Sequence, residues 1–309
     1  MEDLVKRMKY GDYGRAGEIV MSGIAVVEMA CWDIKGKALG VPVWQLLGGK
    51  VTDKVKAYAN GWYTTERTPP EAYHKAAQQV MERGYRALKI DRSAPGTSSW
   101  TTRRPCTPSR SSSRTGRHRP GRRADAGDAR PLLPPATAVR LAKEMAPYRP
   151  AWLEEPVPPE NLKALKKVAE KVDLPVATGE RIHDRIEFRE LFENQAVDII
   201  QPDVGHIGGI WETRKLAATA ETHYMLVAPP HNVGGSVLTA ASLQVGFTSP
   251  PNFKILEHFN DFADAEIKKV VKGAPQVDPE DGCFHLSDAP RAWAWSWTWT
   301  RRPSSRSSG

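Results

Sequence analysis

The sequence contains little cysteine and no long apolar run. No stretch of about 18 consecutive apolar residues occurs, so a membrane-spanning helix is not predicted. The three cysteines, Cys31, Cys106 and Cys283, lack metal-binding and redox spacings, which argues against a cysteine metal site and a disulfide framework. The N-terminal residues 1–6 do not resemble a secretory signal. We therefore expect a soluble cytoplasmic protein with no membrane partner.

Positive charge is unevenly distributed along the chain, which carries a formal net charge of +8. Residues 92–135 hold ten arginines against two acids, and residues 291–309 hold four arginines and no acid. Because these two stretches together contribute +12, the rest of the chain carries −4, as an acidic enzyme does. We therefore expect no nucleic-acid partner, and a basic arm that binds nucleic acid is kept as the last alternative.

Five apolar runs in the second half of the chain each end in an acid or a histidine. Their polar ends are separated by 26, 23, 28 and 26 residues, an interval that suits a buried strand, a loop and an amphipathic helix. Repeated strand–helix units of this size predict parallel strands closed into a barrel, whose loops after the strands share one rim. The runs are residues 151–154, 175–180, 198–203, 225–231 and 253–257.

The predicted secondary structure divides the chain into three parts. Residues 1–50 read as helices, residues 51–273 as the barrel, and residues 274–309 as a C-terminal segment with an anomalous tail at 291–309. Strands are predicted at 55–60 and 87–91 and in the five runs, with an eighth strand missing from the pattern. Helices are predicted at 70–83, 136–146, 159–171, 184–194, 209–222, 235–245 and 260–272.

Residues 92–135 interrupt this rhythm with arginine, serine and proline. Their composition predicts disorder, although the third strand of the barrel should end near residue 128. We hypothesise that a base insertion or deletion has shifted the reading frame here, because one choice of codons for residues 127–132, shifted by one base, reads acid-x-His at that place. Sequencing independent clones of the gene tests this hypothesis.

The runs and the residues after them resemble the enolase superfamily, in its mandelate racemase subgroup and particularly its sugar-acid dehydratases of the galactonate type. The resemblance covers about residues 1–91 and 136–288, and it implies a TIM-like (β/α)7β barrel under an α+β capping domain. Residues 1–50 would then be the helical remnant of that cap. The resembling segments are residues 152–161, 177–184, 198–203, 206–209, 228–235 and 256–259.

The resemblance implies a Mg2+ ion bound by Glu154 and Glu180 at the ends of successive strands. Carboxylate oxygens are the ligands that this hard cation prefers. The resemblance assigns the metal to Glu154 and not to the adjacent Glu155. The family's third ligand falls within residues 92–135, where Asp128 lies nearest in register.

The resemblance also implies the residues that move a proton and bind the substrate. His231 would take the proton next to the substrate carboxylate, held in orientation by Asp203. Lys89 would bind that carboxylate or serve the opposite face, and Glu257 would form hydrogen bonds to it. Racemases often carry a second lysine two positions after the first, but Asp91 stands there, which favours a dehydratase.

The sequence therefore predicts a Mg2+-dependent dehydratase that converts an aldonate into a 2-keto-3-deoxy acid. The expected general acid of the third strand is replaced in register by Arg130, so this chain is expected to be impaired. A racemase or cycloisomerase of the same superfamily and a non-catalytic remnant are the alternatives. The expected partners are a small sugar acid and further copies of the chain in a homo-oligomer.

Overall fold

A computed structural model describes most of the chain outside the basic segments. The described residues are 1–11, 13–14, 16–62, 70–91, 99–102, 134–230, 235–249, 251–259 and 274–286. The helices are α1 (Glu2–Gly11), α2 (Glu18–Leu39), α3 (Val43–Leu46), α4 (Pro70–Glu82), α5 (Pro135–Met145), α6 (Leu162–Ala169), α7 (Phe188–Asn194), α8 (Ile210–Thr222) and α9 (Gly235–Thr248). The strands are β1 (Lys54–Ala59), β2 (Leu88–Asp91), β3 (Ser99–Thr102), β4 (Trp152–Glu154), β5 (Val176–Thr178), β6 (Ile199–Ile200), β7 (Leu226–Val227), β8 (Leu256–His258) and β9 (Cys283–His285).

Eight strands form a closed ring. Hydrogen-bonded neighbours follow the order β7-β6-β5-β4-β3-β2-β1-β8. The ring closes between β7 and β8, because Val227 and Phe253 form a parallel bridge and the Glu257 N–H donates to the Pro229 carbonyl at 3.3 Å. β9 lies outside the ring and pairs antiparallel with β1. The predicted TIM-like α/β barrel is confirmed.

The third strand differs from the prediction in place and in direction. β3 occupies Ser99–Thr102, far from the strand end expected near residue 128, so the expectation of no regular structure in 92–135 is wrong at these four residues. It pairs antiparallel with both β2 and β4, whereas the other neighbouring strands of the ring are parallel. Backbone hydrogen bonding carries this pairing, so the residues need no strand-like periodicity. Residues 103–133, including Asp128 and Arg130, lie outside the described residues.

Side chains alternate between the inside and the outside of the ring along each strand. The outward set packs beneath the surrounding helices, as Leu153, Val176 and Ile200 do. The inward set fills the barrel with one apolar or aromatic residue from each of seven strands or the segments flanking them, which makes a packed core and not a pore. These residues are Tyr58, Ala87, Trp152, Ala177, Ile199, Ala228 and Ile255.

Most helices begin and end close to the predicted positions, but α7 begins at Phe188, four residues after its predicted start, and α6 begins three residues late. Gly40 adopts a left-handed conformation at the end of α2, as the sequence predicts. α6 begins at Leu162 and not at the prolines near 159, because the Asn161 side chain accepts a hydrogen bond from the Ala164 N–H. The helix predicted at 260–272 lies outside the described residues. In the described ranges, no helix combines the length and the apolar character needed to cross a membrane.

Helix α2 is joined to the barrel by a buried carboxylate. Glu28 has no exposed surface and accepts hydrogen bonds from the N–H groups of Ile210 and Trp211 at 2.9 and 3.0 Å. These are free N–H groups of the first turn of α8, so a side chain of α2 caps a helix of the barrel. Gly209 makes this approach possible, because a Cβ atom there would lie 2.1 Å from Glu28 Oε2.

Candidate active site

Four polar side chains gather inside the ring above its apolar filling. Each stands two residues after an inward apolar residue on its own strand, so the alternation of the strand turns it inward as well. All four are at least 95% buried, and they lie toward the carboxyl ends of the parallel strands, where barrel active sites form. The four residues are Lys89, Glu154, Gln201 and Glu257.

A buried lysine stands between two buried glutamates. Lys89 Nζ lies 2.6 Å from Glu154 Oε1 and 3.4 Å from Glu257 Oε1. Burial by itself would lower the pKa of Lys89, but the charges of Glu154 and Glu257 raise it well above its ordinary value. Lys89 is therefore a permanent cation.

The second oxygen of Glu154 receives two further hydrogen bonds. Gln201 Nε2 donates to Oε2 at 3.0 Å, and Trp152 Nε1 donates to it at 3.2 Å. Burial would raise the pKa of Glu154, but Lys89 and these two donors lower it below its ordinary value. Glu154 is therefore a carboxylate with both oxygens engaged.

Glu257 connects this group to β1. It receives a hydrogen bond from Asn60 Nδ2, and its strand pairs with β1 so that Tyr58 and Glu257 are register partners. Burial and the charge of Glu257 raise the pKa of Tyr58 well above its ordinary value, so the phenol stays neutral. The Tyr58 hydroxyl is buried and has no hydrogen-bond partner among the described residues, which leaves one donor inside the barrel.

Glu180 lies at the rim with two ionisable neighbours. Gly179, with a φ of +135°, turns the chain after β5, and Glu180 follows with 28% of its side chain exposed. Arg181 Nε lies 3.2 Å from Glu155 Oε2 and 3.8 Å from Glu180 Oε1. Burial and the negative charge of Glu180 raise the pKa of Glu155 to about 8. Glu155 is therefore mostly protonated at neutral pH and adds little negative charge to the rim.

Asp203 follows β6 and is 1% exposed. Its Oδ1 accepts the Gly205 N–H at 2.7 Å, and its Oδ2 lies 3.9 Å from His206 Nε2. Ser22 Oγ of α2 in turn lies 2.8 Å from His206 Nδ1. The predicted partner of Asp203, His231, lies outside the described residues, so their pairing stays a prediction.

The structure thus joins three of the six predicted site residues by direct ion pairs: Lys89, Glu154 and Glu257. Sequence reasoning missed Asn60, Gln201 and the Tyr58 hydroxyl. An isolated asparagine, glutamine or tyrosine does not form a recognisable sequence motif. The signal that could have found two of them is strand alternation, because Asn60 stands two residues after the inward Tyr58 and Gln201 two after the inward Ile199.

A second group of possible metal ligands lies elsewhere. One ligand atom each from Asp278, Asp281 and His285 lies within 4.8 Å of the others. His285 pairs with Lys54 at the start of β1, the end of the strand opposite the rim. Lys54 Nζ also lies 3.2 Å from Asp281, so a lysine already neutralises part of this charge. This group is separate from the predicted metal site.

Comparisons with known proteins identify the family to which this fold belongs. The family model described as "Enolase C-terminal domain-like" matches residues 72–290, and that of the "Mandelate racemase / muconate lactonizing enzyme, N-terminal domain" matches residues 2–48. D-xylonate dehydratase of Haloferax volcanii is 35% identical over 83% of this chain, and D-galactonate dehydratase of Variovorax paradoxus is 36% identical over 81%. The alignments cover 63% and 64% of these relatives, so the chain spans less than two thirds of their length. The crystal structure of a mandelate racemase/muconate lactonizing enzyme from Jannaschia sp. CCS1 superposes with a TM-score of 0.73 at 31% identity, over 95% of this chain and 76% of that one.

Proposed function

This chain belongs to the mandelate racemase and muconate lactonizing enzyme family of the enolase superfamily, and on that basis we propose that it is a Mg2+-dependent sugar-acid dehydratase. Its substrate would be a small aldonate, and its product a 2-keto-3-deoxy acid. The observation that carries the proposal is the buried group of Lys89, Glu154 and Glu257 inside the rim of the barrel. The names of the relatives, D-xylonate and D-galactonate dehydratase, support the substrate class.

The oxygen atoms at this rim fit a hard divalent cation. Glu154 and Glu180 follow successive strands, and the buried Gln201 Oε1 has no hydrogen-bond partner among the described residues. Carboxylate and amide oxygens with water are the usual ligands of Mg2+. Glu154 and Glu180 would therefore hold the metal.

The reaction removes a proton next to the substrate carboxylate and expels a hydroxyl group from the following carbon. The electrons of the broken C–H bond first pass into the substrate carboxylate. They then form the C=C bond as the C–O bond breaks, the hydroxyl group leaves as water with a proton that the protonated base or solvent returns, and the enol product becomes the ketone. Negative charge develops on the substrate carboxylate before the hydroxyl leaves, and a bound divalent cation would disperse it. Lys89 can donate to these oxygens from inside the barrel, where Glu257 lies 3.4 Å from its ammonium.

The remaining roles fall to the other polar groups of the rim. Asp203 would orient the base, which the family resemblance assigns to His231. The neutral Tyr58 hydroxyl can donate to the substrate or to a water within the barrel. We also propose that residues 1–50 are the helical part of a capping unit and residues 51–273 the barrel, a division supported by the two separate family matches.

The proposal is tested by measuring 2-keto-3-deoxy acid formation from a panel of aldonates that includes D-xylonate and D-galactonate. Product should form with Mg2+, slowly because Arg130 stands in register where the general acid is expected, and should cease with a chelator. Glu154→Gln should lower the rate about 100-fold or more, because it removes a charged ligand, whereas the exposed Glu160→Gln should not. Activity that survives chelation, or an inactive chain with every aldonate, contradicts the proposal. Deuterium exchange next to the carboxylate without loss of water would indicate the racemase class instead.

A further inference from the structure

Lys89 lies beside the carboxylate that we propose as a metal ligand. Lys89 is 5% exposed, and its ammonium lies 2.6 Å from Glu154, the residue expected to be a metal ligand. An ammonium group this close to Glu154 Oε1 competes with a metal ion for the same oxygen atom. Two like charges that meet at one carboxylate inside a barrel repel each other strongly, since the surroundings screen them poorly.

The remaining capacity of Glu154 is small. A carboxylate can accept about four hydrogen bonds, and three of these positions are already occupied. Lys89 donates to Oε1, and Gln201 and Trp152 donate to Oε2. Gln201 and Trp152 are neutral, so neither repels a metal ion. Lys89 is the donor among these three whose charge opposes metal binding.

A second anion is available to Lys89 on its other side. Glu257 Oε1 lies 3.4 Å from Lys89 Nζ, so a short movement of the flexible lysine side chain takes its ammonium from one glutamate to the other. Asn60 Nδ2 donates to the same oxygen, Glu257 Oε1, and so holds it in place for this exchange.

We propose that Lys89 is a built-in cation that competes with the divalent metal for Glu154, and that metal binding moves its ammonium toward Glu257. This inference rests on the proposed function in so far as Glu154 is the metal ligand. The lysine would balance the charge of the barrel before the metal arrives. After metal binding it would be released from Glu154 and free to bind the substrate carboxylate.

The test measures the affinity of the whole chain for Mn2+, by electron paramagnetic resonance of the free ion and without substrate. Lys89→Met keeps the aliphatic stem and removes the charge, so the dissociation constant for Mn2+ should fall at least about tenfold. Lys215→Met is the matched control, because Lys215 also lies between two glutamates, Glu2 and Glu212, but outside the barrel. Its Mn2+ affinity should equal that of the wild type.

The outcomes separate this inference from the proposed function. Equal or weaker Mn2+ binding by Lys89→Met overturns the inference and leaves the metal site of the wild type intact. Absence of binding in both proteins overturns the inference together with the metal dependence of the proposed function. Tighter binding by Lys89→Met in a chain that dehydrates no aldonate supports the inference and contradicts only the proposed function.

A measurement on the wild type replaces the variant if Lys89→Met does not fold. The ammonium group of an ion-paired, buried lysine is observable by 15N NMR, and addition of Mg2+ should shift the Lys89 signal along the binding curve. A Lys89 signal that stays unchanged at saturation overturns the inference.

Discussion

Glu28 is expected to make the stability of the protein depend on pH. Its side chain is fully buried between α2 and the first turn of α8, where it accepts hydrogen bonds from Ile210, Trp211 and the indole of Trp32. Burial raises the pKa of Glu28 to about 7, because these three donors recover only part of the hydration that the carboxylate loses. The folded protein therefore binds a proton more tightly at Glu28 than the unfolded chain does.

The sign and size of the effect follow from this difference. An acid whose pKa is higher in the folded state contributes most stability below its unfolded value of 4.5, and that contribution is lost as the pH rises to about 7. The full change corresponds to about 3 kcal/mol of unfolding free energy, of which about 2.5 kcal/mol falls between pH 5 and pH 8. Above pH 8 the contribution of Glu28 should be constant.

The assay compares urea unfolding of the wild type and Glu28→Gln at several pH values from 5 to 8. The glutamine is neutral throughout, so the stability of the variant relative to the wild type should rise by about 2.5 kcal/mol across this range. Glu18→Gln removes an exposed carboxylate from the same helix and should retain the pH dependence of the wild type. A constant difference between Glu28→Gln and the wild type at all pH values would refute the reasoning.

Three further predictions concern single contacts, each measured by urea unfolding. Gly209→Ala should destabilise by more than about 2 kcal/mol, because its Cβ would meet Glu28 at a φ of +106°, whereas Gly23→Ala has open space in α2 and should stabilise by up to about 1 kcal/mol; equal effects contradict this. Asn161→Ala removes the cap of α6 and should cost about 1 kcal/mol, and an unchanged stability would show that the cap is not needed. Tyr85→Phe removes the buried hydrogen bond to His258, 2.6 Å long, and should cost about 1 to 3 kcal/mol, an expectation that a neutral substitution would contradict.

The barrel was predictable because strand spacing repeats whatever the exact boundaries are. The apolar run before Glu154 and the run before Glu257 each became a strand of the ring, with the glutamate turned inward. The contact of both glutamates with Lys89 was not predictable, since it depends on which strands are neighbours across the ring. Gln201 was missed because a glutamine after two apolar residues is typical of no particular function. Its hydrogen bond to Glu154 depends on β4 and β6 lying on either side of β5.

The third strand shows why composition failed as a guide. Ser99–Thr102 lies in an arginine- and serine-rich stretch with no apolar period, yet β2 and β4 leave a gap that a four-residue strand bridges with backbone hydrogen bonds. Without β3, the backbone N–H and C=O groups at the edges of β2 and β4 would be unpaired, and this favours a strand between them whatever its side chains are. A prediction from the local sequence pattern alone does not include the unpaired edges of neighbouring strands.

The direction of β3 also limits what the third position of the ring can supply to the rim. Ser99 is level with Asp91 and Glu154 at the carboxyl ends of their strands, while Thr102 is level with Leu88, one strand length deeper. In a parallel strand the last residue lies at the rim, but in the antiparallel β3 the first residue, Ser99, lies there and the last, Thr102, lies deeper. The four residues of β3 themselves contain no carboxylate. Glu154 and Glu180 are the ligands that we propose for a metal at this rim, so its affinity should be sensitive to the positive charge that Lys89 places beside Glu154.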